Sequence, residues 1–430
     1  MSVPIKATLS RAKSAAHAMA IATLPQRRAR PQRARPAMPA VLMPLYKRLA
    51  PLISDERLIV VLALFISVAA YAWYASNELT LGYSDALSRM LIARRVVASR
   101  TPGLAQLGTT WLPLHTIAML PLVWNDFLFR SGIAGAIPSM AAYVAASLYL
   151  FRMAQFLFAA RMAAWTCALA FMLNPSVIYM QATAMSEVPL LCAAVIAIYY
   201  MLRWARSYYA PDLVKSAAAV AVCTGIRYDG WALAAALAVV VVYLAWRRYG
   251  YRGAESWGIL YGLLAFAGCV AWVIYNAVIF HDPLLFLFFG NEGHDTSYMA
   301  KFPSYHQPWL SFELYGYSVG AMVGWVTASL AVVGLAIFVF RHRLRHDSLP
   351  AYALLIPIAY HWLIFYMGMD TIFLPELGSS VYWNVRFGLE LIPAVTLFVA
   401  YLVTVRRALV VVALAVTVVF AFVGATRETP

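Results

Sequence analysis

Apolar stretches of about twenty residues recur along nearly the whole of this chain, and no other feature constrains its folding as much. A run of that length spans a bilayer as a helix, and only helices and closed barrels satisfy their backbone groups there. Residues 58–76, 132–150, 162–179, 231–246 and 387–404 are examples. Composition agrees: 63% of the 430 residues are hydrophobic and 12% are charged, against roughly a quarter charged in a soluble domain. The expected fold class is an all-α polytopic membrane protein. A basic cytoplasmic tail over 1–54, expected to be disordered, precedes a single transmembrane domain over 55–425 and a short tail, 426–430.

Charge gives the sidedness. Residues 1–50 hold ten Lys or Arg and no acid, whereas the rest of the chain holds 23 basic and 18 acidic residues. The net charge of +15 is therefore concentrated in a tail suited to anionic lipid head groups, and no motif points to nucleic acid. With that tail inside, the positive-inside rule places Arg152, Arg203, Arg206, Arg247, Arg248, Arg341, Arg343 and Arg406 on the same side. About eleven spans (ten to thirteen) then fit, provided that 111–129, with Pro113, His115, Pro121, Asn125 and Asp126, does not cross. The first outer loop becomes 77–131 and a long outer loop runs over 281–313. Cys167, Cys192, Cys223 and Cys269 lie in apolar runs without metal-ligand spacing and read as small packing residues.

This topology gathers the ionisable residues at one membrane face. In Gly82-Tyr83-Ser84-Asp85, Ser84 is expected to cap a helix, with Asp85 in its first turn, where the dipole favours a carboxylate. Arg89 follows at i+4, so a local Asp85–Arg89 pair is one reading, with Leu87, Met90 and Leu91 on the opposite, apolar face of a membrane-surface helix. Asn174-Pro175 through Ser186-Glu187 offers either an ordinary helix-end loop or a second acid facing Asp85. Arg227-Tyr228-Asp229-Gly230-Trp231 offers either a local Arg–Asp pair or an arginine that grips a phosphate. Arg386 and Glu390, at i+4, form either a structural pair or a phosphate or sugar ligand. His281-Asp282-Pro283 opens the long outer loop. His281, His294 and His306 are too far apart for a zinc motif. No catalytic triad, P-loop or dinucleotide fingerprint is present.

Taken in order, six stretches carry a resemblance: Tyr83-Ser84-Asp85-Ala86, Trp111-Leu112-Pro113-Leu114, Asn174-Pro175 with Glu187, Arg227-Tyr228-Asp229-Gly230-Trp231, Phe280-His281-Asp282-Pro283-Leu284 and Asn384-Val385-Arg386-Phe387-Gly388. Together they resemble the C-type (GT-C) membrane glycosyltransferases, in particular the bacterial protein-mannosyltransferase-like and aminoarabinose-transferase-like group (glycosyltransferase family 39-like), over roughly residues 58–395. The resemblance implies a polyprenyl-phosphate-linked sugar donor, an inverting transfer to an acceptor hydroxyl at the outer face, and a general-base role for Asp85. Arg227 and Arg386 would then hold the donor phosphate. Glu187, Asp229, His115, His281 and Asp282 would contact sugar or acceptor. It also implies a bacterial inner membrane with the N-terminus in the cytoplasm.

Two departures follow. Ala86, not a second acid, comes after Asp85, so a divalent metal is not supported by a paired acidic motif and no cofactor is expected. No C-terminal periplasmic domain is expected, which leaves open whether the acceptor is glycan, lipid or protein. A transporter or flippase of a lipid-linked saccharide is the alternative function class.

Overall fold

A computed structural model describes residues 54–287 and 302–406, apart from 344 and 380, with isolated positions 412, 415 and 419 beyond. The expected tail over 1–54 except Ser54, most of the centre of the long outer loop and most of the apolar stretch after 406 lie outside the described residues. Within them the chain is helical and carries no named strand, only one antiparallel bridge between Phe373 and Trp383.

The helices, in chain order, are α1 (Asp55–Ser76), α2 (Ser84–Ala98), α3 (Leu114–Val123), α4 (Asp126–Arg130), α5 (Ile133–Phe158), α6 (Arg161–Met172), α7 (Pro175–Gln181), α8 (Glu187–Ser207), α9 (Ala210–Ile226), α10 (Asp229–Ala265), α11 (Ala267–Phe280), α12 (Pro308–Val323), α13 (Trp325–His342), α14 (Ile356–Tyr366) and α15 (Ile392–Val405). Tight 3₁₀ turns over Leu349–Leu355 and Val385–Leu391 lead into α14 and α15. Among the described residues, seven helical stretches are long and apolar enough to cross a membrane, or eight if the bent pair α6–α7 is one span. The sequence reads about eleven; of the expected spans, α9 at 17 residues and α11 at 14 residues fall short of that length. The stretch 314–340 is split at Gly324 (φ 79°). The stretch 257–280 is interrupted at Phe266. The expected final span lies outside the described residues.

The α6–α7 bend is 61° and has a local cause. Pro175 cannot extend α6, and the Asn174 side chain caps α7 by accepting the Val177 N–H at 3.0 Å. A second break, at Gly250 (φ 71°), turns α10 back on itself. A methyl group on Gly258 would touch Val242 at 3.1 Å, which fixes the two arms as neighbours.

Ion pairs define one end of the bundle. Arg152 binds Glu56 at 2.5 Å, Arg161 binds Asp55 at 2.5 Å and Arg203 binds Asp212 at 3.2 Å. These residues occupy the starts of α1, α6 and α9 and the ends of α5 and α8. At the opposite end of α1, Tyr71 and Thr80 donate to the Ser131 carbonyl just before α5, both at 3.2 Å. So α1 and α5 are antiparallel neighbours, and residues 77–132 leave and return at the same end. Neither α2 nor α3, at 15 and 10 residues, reaches the roughly 20 residues a crossing requires.

α2 departs from the expected surface helix in two respects. Tyr83, not Ser84, is its N-cap, and no side chain caps it. Its buried face is Ala86, Arg89, Met90, Ala93 and Val96, whereas Leu87 and Leu91 are exposed. The arginine thus lies on the side turned into the protein. All four cysteines are free; Cys167, Cys192 and Cys223 are buried.

Candidate active site

Three carboxylates sit in the first turn of a helix: Asp85 in α2, Glu187 in α8 and Asp229 in α10. Each helix presents its positive end to its own acid. The starts of α8 and α10, like the loop that carries α2, lie at the end of the bundle opposite the three ion pairs above.

Two arginines tie these helix ends together. Arg386 reaches Asp85 through Nη2 at 2.5 Å and Glu187 through Nε at 3.1 Å. Arg227 reaches the same Glu187 oxygen at 3.2 Å, Asp229 at 2.8 Å and Glu390 at 3.0 Å. Glu390 also accepts a hydrogen bond from His361 Nε2 at 2.9 Å, which places that imidazole proton on Nε2. The buried Phe387 ring is 5.7 Å from each of the two guanidiniums, and His361 stacks on it at 4.9 Å. Glu187, Asp229, Glu390 and His361 are buried, so the network works in a low dielectric where each pairing is strong and each unpaired group is costly.

Local sequence explains how these side chains arrive. In Arg227-Tyr228-Asp229-Gly230, a methyl group on residue 230 would fall 2.5 Å from the Cys223 carbonyl, so only glycine lets α10 start against the end of α9. In Arg386-Phe387-Gly388, a methyl group on residue 388 would lie 2.4 Å from the Ser318 carbonyl, so glycine lets this turn press on α12. Asn384 precedes it in a left-handed conformation (φ 55°), which asparagine tolerates better than most residues. Its side chain donates to Asp370 at 3.0 Å. Burial holds Asp370 above the ordinary carboxylate range, opposed by the nearby Arg386 and Arg227 charges.

Arg89 enters from α2. It is buried, stacks on Trp111 at 4.4 Å, and its Nε and Nη1 have no hydrogen-bond partner. Desolvation pushes its pKa down to about 10, with Glu187 the strongest opposing charge. His115 lies below: its Nε2 donates to the Ala184 carbonyl at 3.0 Å, and burial together with the Arg89 charge lowers its pKa to about 4. His115 is thus neutral and structural in its contacts.

Of the eight residues the sequence singles out, Asp85, Glu187, Arg227, Asp229 and Arg386 form one connected network, and His115 adjoins it through Arg89. His281 and Asp282 do not join it. His281 is exposed at the end of α11, and Asp282 accepts the Leu284 N–H at 2.9 Å. Among the described residues, neither has a hydrogen bond or ion pair to the network. Both local i,i+4 pairs are also replaced. Asp85 binds Arg386 instead of Arg89, and Glu390 binds Arg227 instead of Arg386. For the second pair the reason is geometric: Val385–Leu391 is a 3₁₀ turn, which aligns i with i+3 and points i+4 elsewhere.

His361, Glu390 and Arg89 carry functional-site geometry that the sequence reading did not assign. Glu390 was visible only as a partner for Arg386. His361 had no motif, only the rarity of an imidazole within an apolar run. The donor atoms of Asp229, His361 and Glu390 lie within 4.8 Å of one another, a spacing compatible with a cation. Arg227 already bonds both of these carboxylates.

No curated protein and no solved structure matches the chain. A family model does match residues 125–275, a stretch running from the start of α4 through most of α11 and containing Glu187, Arg227 and Asp229. That model describes the dolichyl-phosphate-mannose-protein mannosyltransferases, a family to which this chain is similar over those residues.

Proposed function

We propose that the protein transfers a sugar from a polyprenyl-phosphate-linked donor to an acceptor hydroxyl at the outer membrane face, with inversion at the anomeric carbon. The observation that carries this reading is the Asp85–Arg386–Glu187–Arg227 network, which holds one partly exposed carboxylate beside two guanidiniums. Asp85 takes the acceptor hydroxyl proton as the acceptor oxygen bonds to the anomeric carbon. The bond from that carbon to the phosphate oxygen breaks, and its electron pair leaves on the polyprenyl phosphate. Arg386 and Arg227 supply positive charge where that negative charge develops.

The pairing of Asp85 with Arg386 also suggests how donor arrival prepares the base. A phosphate that engages Arg386 competes with Asp85 for the same guanidinium, which releases the carboxylate for the acceptor. Glu187 and Asp229 hold the arginines in place. His115 supports the turn that carries Glu187, and His281 and Asp282 border the loop where an acceptor approaches. The membrane is then a bacterial inner membrane with the basic tail in the cytoplasm.

The test is turnover of polyprenyl-phospho-sugars by purified wild-type protein and by Asp85→Asn. Loss of transfer with retained donor binding supports the reading. Undiminished transfer by the variant removes Asp85 from the base role. A protein that moves the lipid-linked sugar across vesicles without cleaving it is a transporter instead.

A further inference from the structure

Arg89 brings buried donors without partners into the cluster. It is 4% exposed, and its Nε and Nη1 have no partner. Glu187, 0% exposed, uses Oε1 for both Arg227 and Arg386 and leaves Oε2 without a partner. The Ser186 hydroxyl beside it is buried and also unmatched. Leaving such groups unsatisfied in the interior is costly, most of all for charged ones.

Independent packing contacts bring these groups into one neighbourhood. A methyl group on Gly135 would touch both Met90 Sδ, next to Arg89, and Ala184, two residues before Ser186. His115 bonds the Ala184 carbonyl, and Arg89 acts on both His115 and Glu187. Trp111 stacks on the Arg89 guanidinium and is itself partly exposed, so it lies between that guanidinium and the surface.

The unmatched set consists of guanidinium donors, a carboxylate acceptor and a hydroxyl. A phosphate offers acceptors only, and the Glu187 oxygen would repel it. A sugar hydroxyl donates and accepts at once and satisfies both sides. Arg89 also lies one turn beyond Asp85 on α2, about 6 Å along the axis, which is the scale of a pyranose ring.

We propose that Arg89, together with Glu187 Oε2 and Ser186, forms the subsite that recognises ring hydroxyls of the donor sugar, reached when Trp111 moves aside. This inference rests on the glycosyl-transfer reading above and adds to it the residues that read the sugar rather than the phosphate.

Equilibrium binding to the full-length protein in nanodiscs tests it with two probes: undecaprenyl phosphate, and the tightest-binding member of a panel of undecaprenyl-phosphohexoses. Arg89→Met is expected to bind undecaprenyl phosphate within about twofold of wild type and the glycosylated lipid about 10- to 100-fold more weakly. Arg89→Lys, which keeps the charge but not the planar donor set, is expected to show the same selectivity in weaker form and carries the comparison if the methionine variant does not fold. Because the variant removes an unpaired buried charge, its thermal midpoint is expected to equal or exceed that of wild type. Equal weakening toward both probes assigns Arg89 to the phosphate and overturns the proposal. No weakening toward either, with a lowered midpoint, makes it a structural residue and also overturns it. Wild-type protein that binds no glycosylated lipid at all overturns the glycosyl-transfer reading itself.

Discussion

Asp85 and Arg386 are 301 residues apart in the chain, and their side chains meet at 2.5 Å. The contact joins the first turn of α2 to the 3₁₀ turn before α15, and through Glu187 it reaches the start of α8. The proposed base is therefore positioned by a residue from the far end of the chain.

Replacing Asp85 by Asn is expected to lower kcat for sugar transfer by about 10²–10⁴-fold, the usual range for a lost general base. The carboxylate is partly exposed, so the pair contributes little to stability, within about 1 kcal/mol. A kcat loss with an unchanged thermal midpoint is the expected combination, and a large fall in the midpoint argues instead for a structural pair.

Arg227 is the keystone of charge balance, bonding Glu187, Asp229 and Glu390. Arg227→Met leaves Asp229 and Glu390 without their cation and Glu187 with Arg386 alone, and breaking one buried pair typically costs about 3–5 kcal/mol. The expected outcome is a protein strongly destabilised in detergent. Arg227→Lys is expected to recover only part of the loss, because one ammonium cannot match three carboxylates in the guanidinium geometry. A lysine variant as stable as wild type contradicts this account.

Gly388→Ala places a methyl group 2.4 Å from the Ser318 carbonyl. The turn must shift away from α12, at a cost of about 1–3 kcal/mol, and it carries Arg386 with it. Activity is expected to fall along with stability. Gly262→Ala, where a methyl group meets nothing within 4 Å, is the control expected to change neither by much.

His115 gives a pH dependence with a definite sign. Its folded pKa, lowered to about 4 from an ordinary 6.5 by burial and Arg89, means that the unfolded chain binds the proton more readily. The contribution to stability is fully present above about pH 6.5 and is lost as pH falls toward about 4. Thermal midpoints measured across that window are expected to drop more steeply in wild type than in His115→Gln, which cannot gain the proton. Parallel curves for the two proteins assign the acid sensitivity elsewhere.

Much of the fold was legible because a bilayer imposes a simple rule. Apolar runs near 20 residues had to be helices, and the exclusion of 111–129 from the spans agrees with the antiparallel α1–α5 pair that closes 77–132 at one end. What hydropathy could not show was where helices break. Gly324 and Phe266 interrupt apolar sequence without changing its character, because the break is a backbone conformation and not a polarity, whereas the break at Gly250 falls in the basic run 247–252 that the sequence already reads as a turn.

The candidate site divides in the same way. The sequence by itself determined which chemical groups gather near one membrane face: Asp85, Glu187, Arg227, Asp229 and Arg386 each stand at the edge of an apolar run, where charge is tolerated and a helix start favours an acid. Only the tertiary structure decided who pairs with whom. Spacing suggested Asp85 with Arg89 and Arg386 with Glu390. The folded chain instead joins Asp85 to Arg386 and Glu390 to Arg227, turns Arg89 inward against Trp111, and draws His361 out of an apolar run onto Glu390. Local spacing ranks partners on one helix, but a buried charge is settled by whichever partner the packed interior brings within hydrogen-bond reach.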